Sequence, residues 1–396
     1  MKEHTDLNDP TPLKAIGLFN DSYPPLMDGV AVTVYNYAYW MHRKGENVKV
    51  FTPKVPKAED KDDFEVFRYT SLPLRNRKPY RLGFPYADFN ILNKIFLKKS
   101  FKIVHAHSPF SAGHLAMFAA ASQKVPMVAT FHSKFRDDFE RITKSRDVAN
   151  AMLKTIMPIF DYADEVWIPQ AAVEETIREY GFKGKVEVVN NGTDLVAEGP
   201  IEAVKKAAKK WLKVSEEVPV FLFVGQHIWQ KNTAMIIEAL DLLRDLPYRM
   251  YFVGTGYASE GMQRMVKERK LENKILFTGN IGERELLKTY YAAADLFLFP
   301  SIYDNAPLVV REAAAMHTPA VIIAGSTTSE IISDGENGFL TENNAISMAR
   351  KIRQLMRDIA LIRMVGYHAS KSIAFSWEHI VEEVLDRYNC IIARKC

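Results

Sequence analysis

The sequence predicts an α/β protein made of two doubly wound parallel-sheet domains. Three observations carry that expectation. Short apolar runs alternate with helical patterns of about ten or more residues, which is how parallel strands joined by crossover helices read. The alternation occurs twice, with a charged stretch, EGPIEAVKKAAKKWLKVSEE (198–217), between the two sets. The chain has 396 residues, more than one ordinary core organises.

In order, KAIGLF (14–19) reads as the first strand and is followed by a loop of Asp, Ser, Pro and Gly. VAVTVYNYAYWMHRKG then reads as a helix closed by Gly45, and VKVF (48–51) as the next strand. KIVHAH (102–107), a helix through GHLAMFAAASQ, PMVATFH (126–132), DEVWIP (164–169) and KVEVVNNG (185–192) complete the first half. The second half runs through VPVFLFVG (218–225), NTAMIIEALDLLRD, RMYFVGTG, NKILFTG, ERELLKTYYAAA (283–294) and DLFLFP (295–300). The boundary is expected near residues 193–217, giving an N-terminal domain of 1–195 and a second of 196–375.

Composition narrows the function classes. A net charge of +4 on this length argues against a disordered acidic chain and against a nucleic-acid binder. The two cysteines, Cys390 and Cys396, both fall in the last seven residues, so no disulfide framework is expected and a reducing, cytoplasmic setting fits. The first residues lack the apolar core of a signal peptide, and no run approaches about 18 apolar residues.

In open parallel sheets, ligands bind beyond the carboxyl ends of the strands. The residues that follow the apolar runs are Gly29, His107, His132, Gly192, Gly225 to Lys231, Gly254 to Gly256, Gly279, and Asp304 to Glu312. Glycines, histidines, a lysine and carboxylates are the types that grip phosphate and sugar. Two carboxylates, Asp304 and Glu312, flank NAPLVVR in an otherwise apolar segment. An ionised carboxylate accepts paired hydroxyl donors in short, charge-assisted bonds. Between the two, NAPLV would open a helix whose free N–H groups can face a diphosphate. The plainer alternative makes Asp304 a helix cap and Glu312 a partly exposed helix residue. No His/Cys/Asp cluster has metal-ligand spacing, so no metal and no other cofactor is expected.

Six segments occur together in order: NDSYPPLMDGVAVTVYNYAYWMHRKGENVKVFTP, VHAHSPFSAGHLA, VATFHS, VEVVNNGTDL, FVGQHIWQKN, and PSIYDNAPLVVREAAAMHTPAVI with SEIISDGENGFL. Together they resemble the retaining glycosyltransferases of family GT4, closest to the diacylglycerol glycosyltransferase branch. The resemblance implies the GT-B fold: two Rossmann-like domains facing a central cleft, the first for the acceptor and the second for a nucleotide-sugar. It also implies a last helix, here 376–396, that crosses back to the first domain.

The implied function is hexosyl transfer from a nucleotide-sugar, expected to be a UDP-sugar, to a membrane glycolipid or diacylglycerol hydroxyl. A soluble sugar or polysaccharide acceptor, including with GDP-mannose, is the alternative. A sugar-nucleotide epimerase and a non-catalytic sensor are further ones. By resemblance, Asp304 sits by the donor sugar, Glu312 holds the ribose hydroxyls and Lys231 meets the diphosphate. Asn305, Ala306 and Leu308 line the donor, and Gly29 lets the backbone approach the diphosphate. His132 lies at the reacting sugar, and His107 and Ser108 face the acceptor.

The catalytic set is thus His132, Lys231 and Asp304. Retention would follow a same-face route in which the departing phosphate takes the acceptor's proton, with a double displacement as the alternative. This chain departs from the family pattern at three positions. Asp304 replaces the usual Glu, Pro307 replaces a common Gly and so lacks an N–H, and Gln226 replaces an arginine. The charge lost at Gln226 is left to His227 or to backbone amides.

Between Leu74 and Lys102, eight basic residues (Arg75, Arg77, Lys78, Arg81, Lys94, Lys98, Lys99, Lys102) stand against one acid, Asp88. They are interleaved with Phe84, Tyr86, Phe89, Ile91, Leu92, Ile95, Phe96 and Leu97. That mixture suits an anionic membrane surface, met peripherally on its inner face, or else a solvated charged helix covering an ordinary core. VKKAAKKWLK (204–213) reads as an exposed linker helix.

Overall fold

A computed structural model describes residues 14–74, 79–96 and 100–395, without the side chains of Lys94 and Phe96. Of the basic segment, Arg75, Arg77, Lys78, Leu97, Lys98 and Lys99 lie outside the described residues, as does Cys396. The chain forms two compact units. The first takes in the chain up to Ile168, Ile177–Val188 and the chain from Val381 onward, and the second takes in Pro169–Thr176 and Val189–Ile380.

In the first unit the apolar runs become β1 (Ala15–Phe19), β2 (Val48–Pro53), β3 (Glu65–Tyr69), a small antiparallel hairpin of β4 (Ser71–Pro73) and β5 (Arg81–Gly83), β6 (Phe101–Ala106), β7 (Met127–Thr130), β8 (Glu165–Ile168) and β9 (Val186–Val188). The main sheet is parallel, in the order β3-β2-β1-β6-β7-β8-β9. Its direction of winding reverses between β1 and β6.

Crossovers are supplied by α1 (Gly29–Arg43), α2 (Phe89–Phe96), α3 (Ser111–Gln123), α4 (Phe135–Thr143) and α5 (Arg146–Tyr162), with α6 (Val173–Glu179) after β8. The local rules are visible in α1. Asp28 caps it by accepting from Ala31 N at 2.8 Å, and Ala31, Val34, Ala38 and Met41 bury one face. His42 and Arg43 complement the negative end of its dipole, and Gly45, at φ +85°, takes the left-handed turn that follows.

In the second unit the strands are β10 (Val220–Val224), β11 (Arg249–Val253), β12 (Ile275–Gly279), β13 (Leu296–Phe299), β14 (Ala320–Ile323) and β15 (Phe339–Thr341). They form a parallel sheet in the order β12-β11-β10-β13-β14-β15, whose winding reverses between β10 and β13. The helices are α7 (Ile201–Trp211), α8 (Thr233–Asp241), α9 (Ser259–Glu268), α10 (Arg284–Ala293), α11 (Leu308–Ala315), α12 (Ala345–Leu355) and α13 (Ile359–Ser372), followed by α14 (Trp377–Lys395). The strand VFLFV is buried at every position because helices cover both faces of a parallel sheet. Each such phenylalanine contributes roughly 1.5–3 kcal/mol by leaving water.

Two expectations change here. The stretch 204–213 is exposed on one side, at Lys206, Ala207, Lys210, Trp211 and Lys213, but not on the other. In α7, Lys209 is buried, donating to Asp295 Oδ2 at 2.8 Å, and Lys205 donates to the carbonyl of Ala294 at 2.8 Å. Burial pushes the Lys205 ammonium down to about 8. The basic periodicity masked two lysines facing the core. The strand expected over 185–192 is only Val186–Val188, after which the chain enters the second unit.

From Val381 on, α14 belongs to the first unit. Tyr388 stacks on Trp167 at 5.5 Å between ring centroids, and its hydroxyl lies 2.5 Å from His105 Nδ1. Among the described residues, no helix is long and apolar enough to cross a membrane.

Candidate active site

The second unit gathers the expected donor residues where its sheet changes direction. β10 and β13 are neighbours, so the loops after them, Gly225 to Lys231 and Ser301 to Pro307, leave the same sheet edge side by side. Gly254, at φ +125°, follows β11, and a Cβ there would run into the carbonyl of Gly225. Only glycine lets these loops lie so close.

Lys231 is 9 % exposed, and its Nζ lies 2.7 Å from both Oδ1 and Oδ2 of Asp304. Ser301 Oγ donates to Asp304 Oδ2 at 2.6 Å, and the Lys231 ammonium also lies over the Phe299 ring. The carboxylate is therefore held from two sides, with the ammonium fixed beside it. Just beyond, α11 begins at Leu308, with Pro307 as its N-cap and no side-chain hydrogen bond to cap it. Asp304 is thus not a helix cap. The first turn of α11 presents backbone N–H groups and the positive end of the helix dipole, a natural place for phosphate.

Glu312, one turn into α11, is 5 % exposed, so it is not a surface residue either. Its Oε1 accepts from Arg284 Nη2 at 2.8 Å and its Oε2 from the Tyr291 hydroxyl at 2.6 Å. Arg284 also grips Asp194, through Nε at 2.9 Å and through Nη2. Burial works against the Arg284 charge, yet Glu312 and Asp194 together carry its pKa above the ordinary range. Burial, and then the charge of Glu312, raise the Tyr291 phenol well above 10, so it stays a donor. Each carboxylate oxygen can accept more than one hydrogen bond, which leaves Glu312 able to take ribose hydroxyls as well.

The other donor-side residues are close at hand. Asn305 and Leu308 are buried, and the Ala306 carbonyl accepts from Asn191 Nδ2 at 3.3 Å. Gln226 follows β10 with its side chain exposed. The expectation that His227 could replace the missing arginine charge is corrected: burial pushes that imidazole down to about 4, and its Nδ1 lies 3.0 Å from Ser259 Oγ. A neutral ring supplies no charge. Among the described residues, no three His, Cys, Asp or Glu side chains are grouped to hold a metal ion.

In the first unit, Gly29 opens α1 behind its Asp28 cap. His107 follows β6 and His132 follows β7, its neighbour, and the rings meet with His107 Nδ1 3.2 Å from His132 Nε2. His105, whose ring lies 3.9 Å from that of His107 between centroids, bonds Thr130 Oγ1 at 2.7 Å. Burial holds all three histidines neutral, with His132 pushed down to about 3. Ser108 is occupied locally. Its hydroxyl donates to Asp21 Oδ2 at 2.6 Å, and Asp21 also accepts from Ser111 and from Ala112 N at the start of α3. Burial raises the Asp21 carboxyl, against those bonds.

Sequence reading missed Asp21, Asp194, Arg284, Tyr291 and Ser301. Arg284 and Tyr291 are seven residues apart, two turns along α10, and therefore share a face with buried Leu287. A polar pair on the apolar stripe of a helix was the available signal.

Comparison with known proteins agrees with this layout. Residues 27–196 match the family model described as Glycosyltransferase Family 4, and residues 184–372 match that described as Glycosyl transferases group 1. The α-monoglucosyldiacylglycerol synthase of Streptococcus pneumoniae is 26% identical over 332 residues, covering 82% of this chain and 74% of that one. The enzyme of the same name from Acholeplasma laidlawii is 24% identical, covering 83% of this chain and 85% of that one. Among solved structures, a sucrose-phosphate synthase from Thermosynechococcus elongatus superposes with a TM-score of 0.79 at 19% identity, covering 96% of this chain and 100% of that one. Anabaena HepE in complex with UDP-glucose does so at 0.74 and 17%, covering 95% and 100%. The two Rossmann-like units are those of the GT-B fold, and the chain belongs to glycosyltransferase family 4, resembling its diacylglycerol glycosyltransferase branch.

Proposed function

We propose that the protein is a retaining, metal-independent hexosyltransferase that moves a hexose from a UDP-sugar to the hydroxyl of a diacylglycerol or glycolipid. The observation that carries the donor half is the grouping of Lys231, Asp304 and Glu312 around the uncapped start of α11. Glu312 takes the ribose hydroxyls, the α11 N–H groups and Lys231 take the diphosphate, and Asp304 takes hydroxyls of the sugar. As the bond between the anomeric carbon and phosphate breaks, charge grows on the leaving diphosphate. Lys231 and the helix end meet that charge without reorganising. A phosphate oxygen then takes the proton of the acceptor hydroxyl while the acceptor oxygen bonds to the anomeric carbon on the same face of the sugar. Asp304 and His132 position the sugar, and neither forms a bond to it. His107 belongs to the acceptor side.

The UDP-sugar is favoured by likeness to HepE, solved with UDP-glucose, and the lipid acceptor by likeness to the two monoglucosyldiacylglycerol synthases. Exposed apolar side chains in the first unit also support a lipid surface: Leu72, Leu82, Phe84, Tyr86 and Phe89 are each open to solvent. Such a protein would work peripherally at the cytoplasmic membrane face.

The test is release of UDP or GDP from a panel of sugar donors, with diacylglycerol in vesicles or with soluble sugars as acceptor. UDP release stimulated by diacylglycerol is the expected result. Stimulation only by a soluble sugar would move the acceptor to the class represented by the D-inositol 3-phosphate glycosyltransferase of Streptomyces avermitilis, 26% identical over 312 residues. Interconversion of donors without an acceptor would instead mark an epimerase, and binding without turnover a sensor.

A further inference from the structure

Arg311 precedes Glu312 on α11 and is among the largest fully buried side chains, at 2 % exposure. A buried guanidinium is expensive to desolvate and is usually met by a carboxylate. This one is met otherwise. Its Nη1 donates to the carbonyl of Ile373 at 2.8 Å and its Nη2 to Asn190 Oδ1 at 3.2 Å. Burial alone accounts for the shift of its pKa down to about 10.

Both acceptors lie in the stretches by which the chain enters the second unit, after Val188, and leaves it, after Ile380. Those stretches are also joined to each other. Thr193 N donates to the carbonyl of Phe375 at 2.8 Å, and Trp377 N to that of Thr193 at 3.3 Å. A Cβ on Gly192 would run into Trp377. Two further ties reach the donor site from the same entry stretch: Asn191 to the Ala306 carbonyl, and Asp194 to Glu312 by way of Arg284. Arg311 ties both stretches to α11 through one side chain. A methionine would fill most of the same volume and spare the desolvation cost, but it could hold neither stretch.

We propose that Arg311 is a positioning residue for transfer, fastening the entry and exit stretches of the second unit to the helix that bears the donor carboxylate. The inference rests on the transfer reading above, in which Lys231 and Glu312 hold the donor. On that reading, a group far from the chemistry matters by fixing where the chain leaves the donor helix. The planar fork suits the task, because it donates in two fixed directions where an ammonium would act as a point charge.

The test uses the full chain as Arg311→Met and Arg311→Lys, read three ways. UDP affinity by calorimetry is expected to stay within about twofold, since Glu312 and the start of α11 are intact. Turnover is expected to fall about ten- to a hundredfold in Arg311→Met, the scale of small misplacements, and to recover in part in Arg311→Lys. Nicking by elastase within 189–195 is expected to quicken in Arg311→Met. Unchanged turnover would overturn the proposal, as would turnover lost only in step with UDP affinity. If the wild-type chain turns over no nucleotide-sugar, the transfer reading has failed. The nicking comparison then still decides whether Arg311 fastens the stretches, equal rates in variant and wild type overturning it. Should Arg311→Met not fold, Asn190→Ala removes one of the two acceptors at a partly exposed position and is read the same way.

Discussion

The Lys231 ammonium lies 2.7 Å from both carboxylate oxygens of Asp304, so the two charges hold one another. An ammonium has three protons to give, and two directed at Asp304 leave one for a phosphate oxygen. We expect Lys231→Ala to lower turnover by about 10²–10³, the range seen when a preorganised donor to developing charge is removed. Affinity for the intact nucleotide-sugar should fall much less, because the charge Lys231 meets develops only as the bond breaks. The same substitution strips Asp304 of a partner, so the loss in Lys231→Ala/Asp304→Asn should be smaller than the sum of the single losses. Wild-type kinetics in Lys231→Ala would remove the lysine from the site.

Glu312 acts in the ground state as well as the transition state on this reading, so its loss should look different. Glu312→Ala should weaken UDP binding by calorimetry more than it lowers turnover at saturating donor. Tyr291→Phe deletes one hydrogen bond to a buried carboxylate, at a cost of about 1–3 kcal/mol. A lowered melting temperature with UDP affinity reduced in parallel is the expected outcome. Full UDP affinity in Glu312→Ala would reassign the ribose contact.

The two α/β sheets were legible because burial on both faces forces unbroken apolar strands such as AIGLF and VFLFV, and those runs stand out between polar turns. The position of Asp304, Lys231 and Glu312 at a sheet edge was legible for the same reason. Their partners were not. Arg284 and Asp194 are 90 residues apart in sequence and meet only in the fold, and Arg284 within GERELL reads as a solvated helix start. Lys205 and Lys209 were hidden in a run of lysines whose period suits a surface helix, although Asp295 and a carbonyl draw two of them inward. Local pattern reports which face is apolar. It does not report which long polar side chain finds a partner beneath it.

Acid should destabilise the first unit through His105 and His107, which are 0 % and 1 % exposed. Burial lowers both well below 6.5. Well above pH 6.5 the folded and unfolded chains are both neutral at these positions, and they contribute nothing to the pH dependence. Below it the unfolded chain gains protons that the folded one refuses, so stability falls as pH falls. Urea unfolding at pH 7.5 and 5.5 should show this fall, and His107→Gln should reduce it. Equal stability at the two pH values in the wild type would mean that the rings carry charge in the fold.

Chelation should leave transfer intact. The proposed site meets the diphosphate with Lys231 and the start of α11, and these groups do not depend on a divalent ion. UDP release in EDTA should stay within about twofold of that in magnesium, since no Lewis acid is assigned a share of the barrier. Loss of transfer in EDTA that added metal restores would show a cation taking the part given to Lys231.

The acceptor prediction concerns the exposed face of the first unit. Phe89 opens α2 at 78 % exposure, and Leu72 and Leu82 face each other across the hairpin of β4 and β5, both open to water. Arg81 is pinned there, its Nε donating to Ser71 Oγ at 2.8 Å, so its charge is held beside these apolar groups. Such a face gains by dipping into a bilayer interface, and each basic residue near anionic lipid adds about 1 kcal/mol, screened by salt. The protein should therefore sediment with vesicles containing anionic lipid at low salt, and leave neutral vesicles in the supernatant. Phe89→Ser with Leu82→Ser should weaken that binding, as should Arg75, Arg77, Lys98 and Lys99 changed to Ser. Transfer to diacylglycerol should fall in step, while slow hydrolysis of the donor by water should hardly change, because its carboxylates and lysine belong to the second unit. If the wild-type protein ignores anionic vesicles at low salt, the exposed aromatics have another use, and a soluble sugar becomes the acceptor to test first.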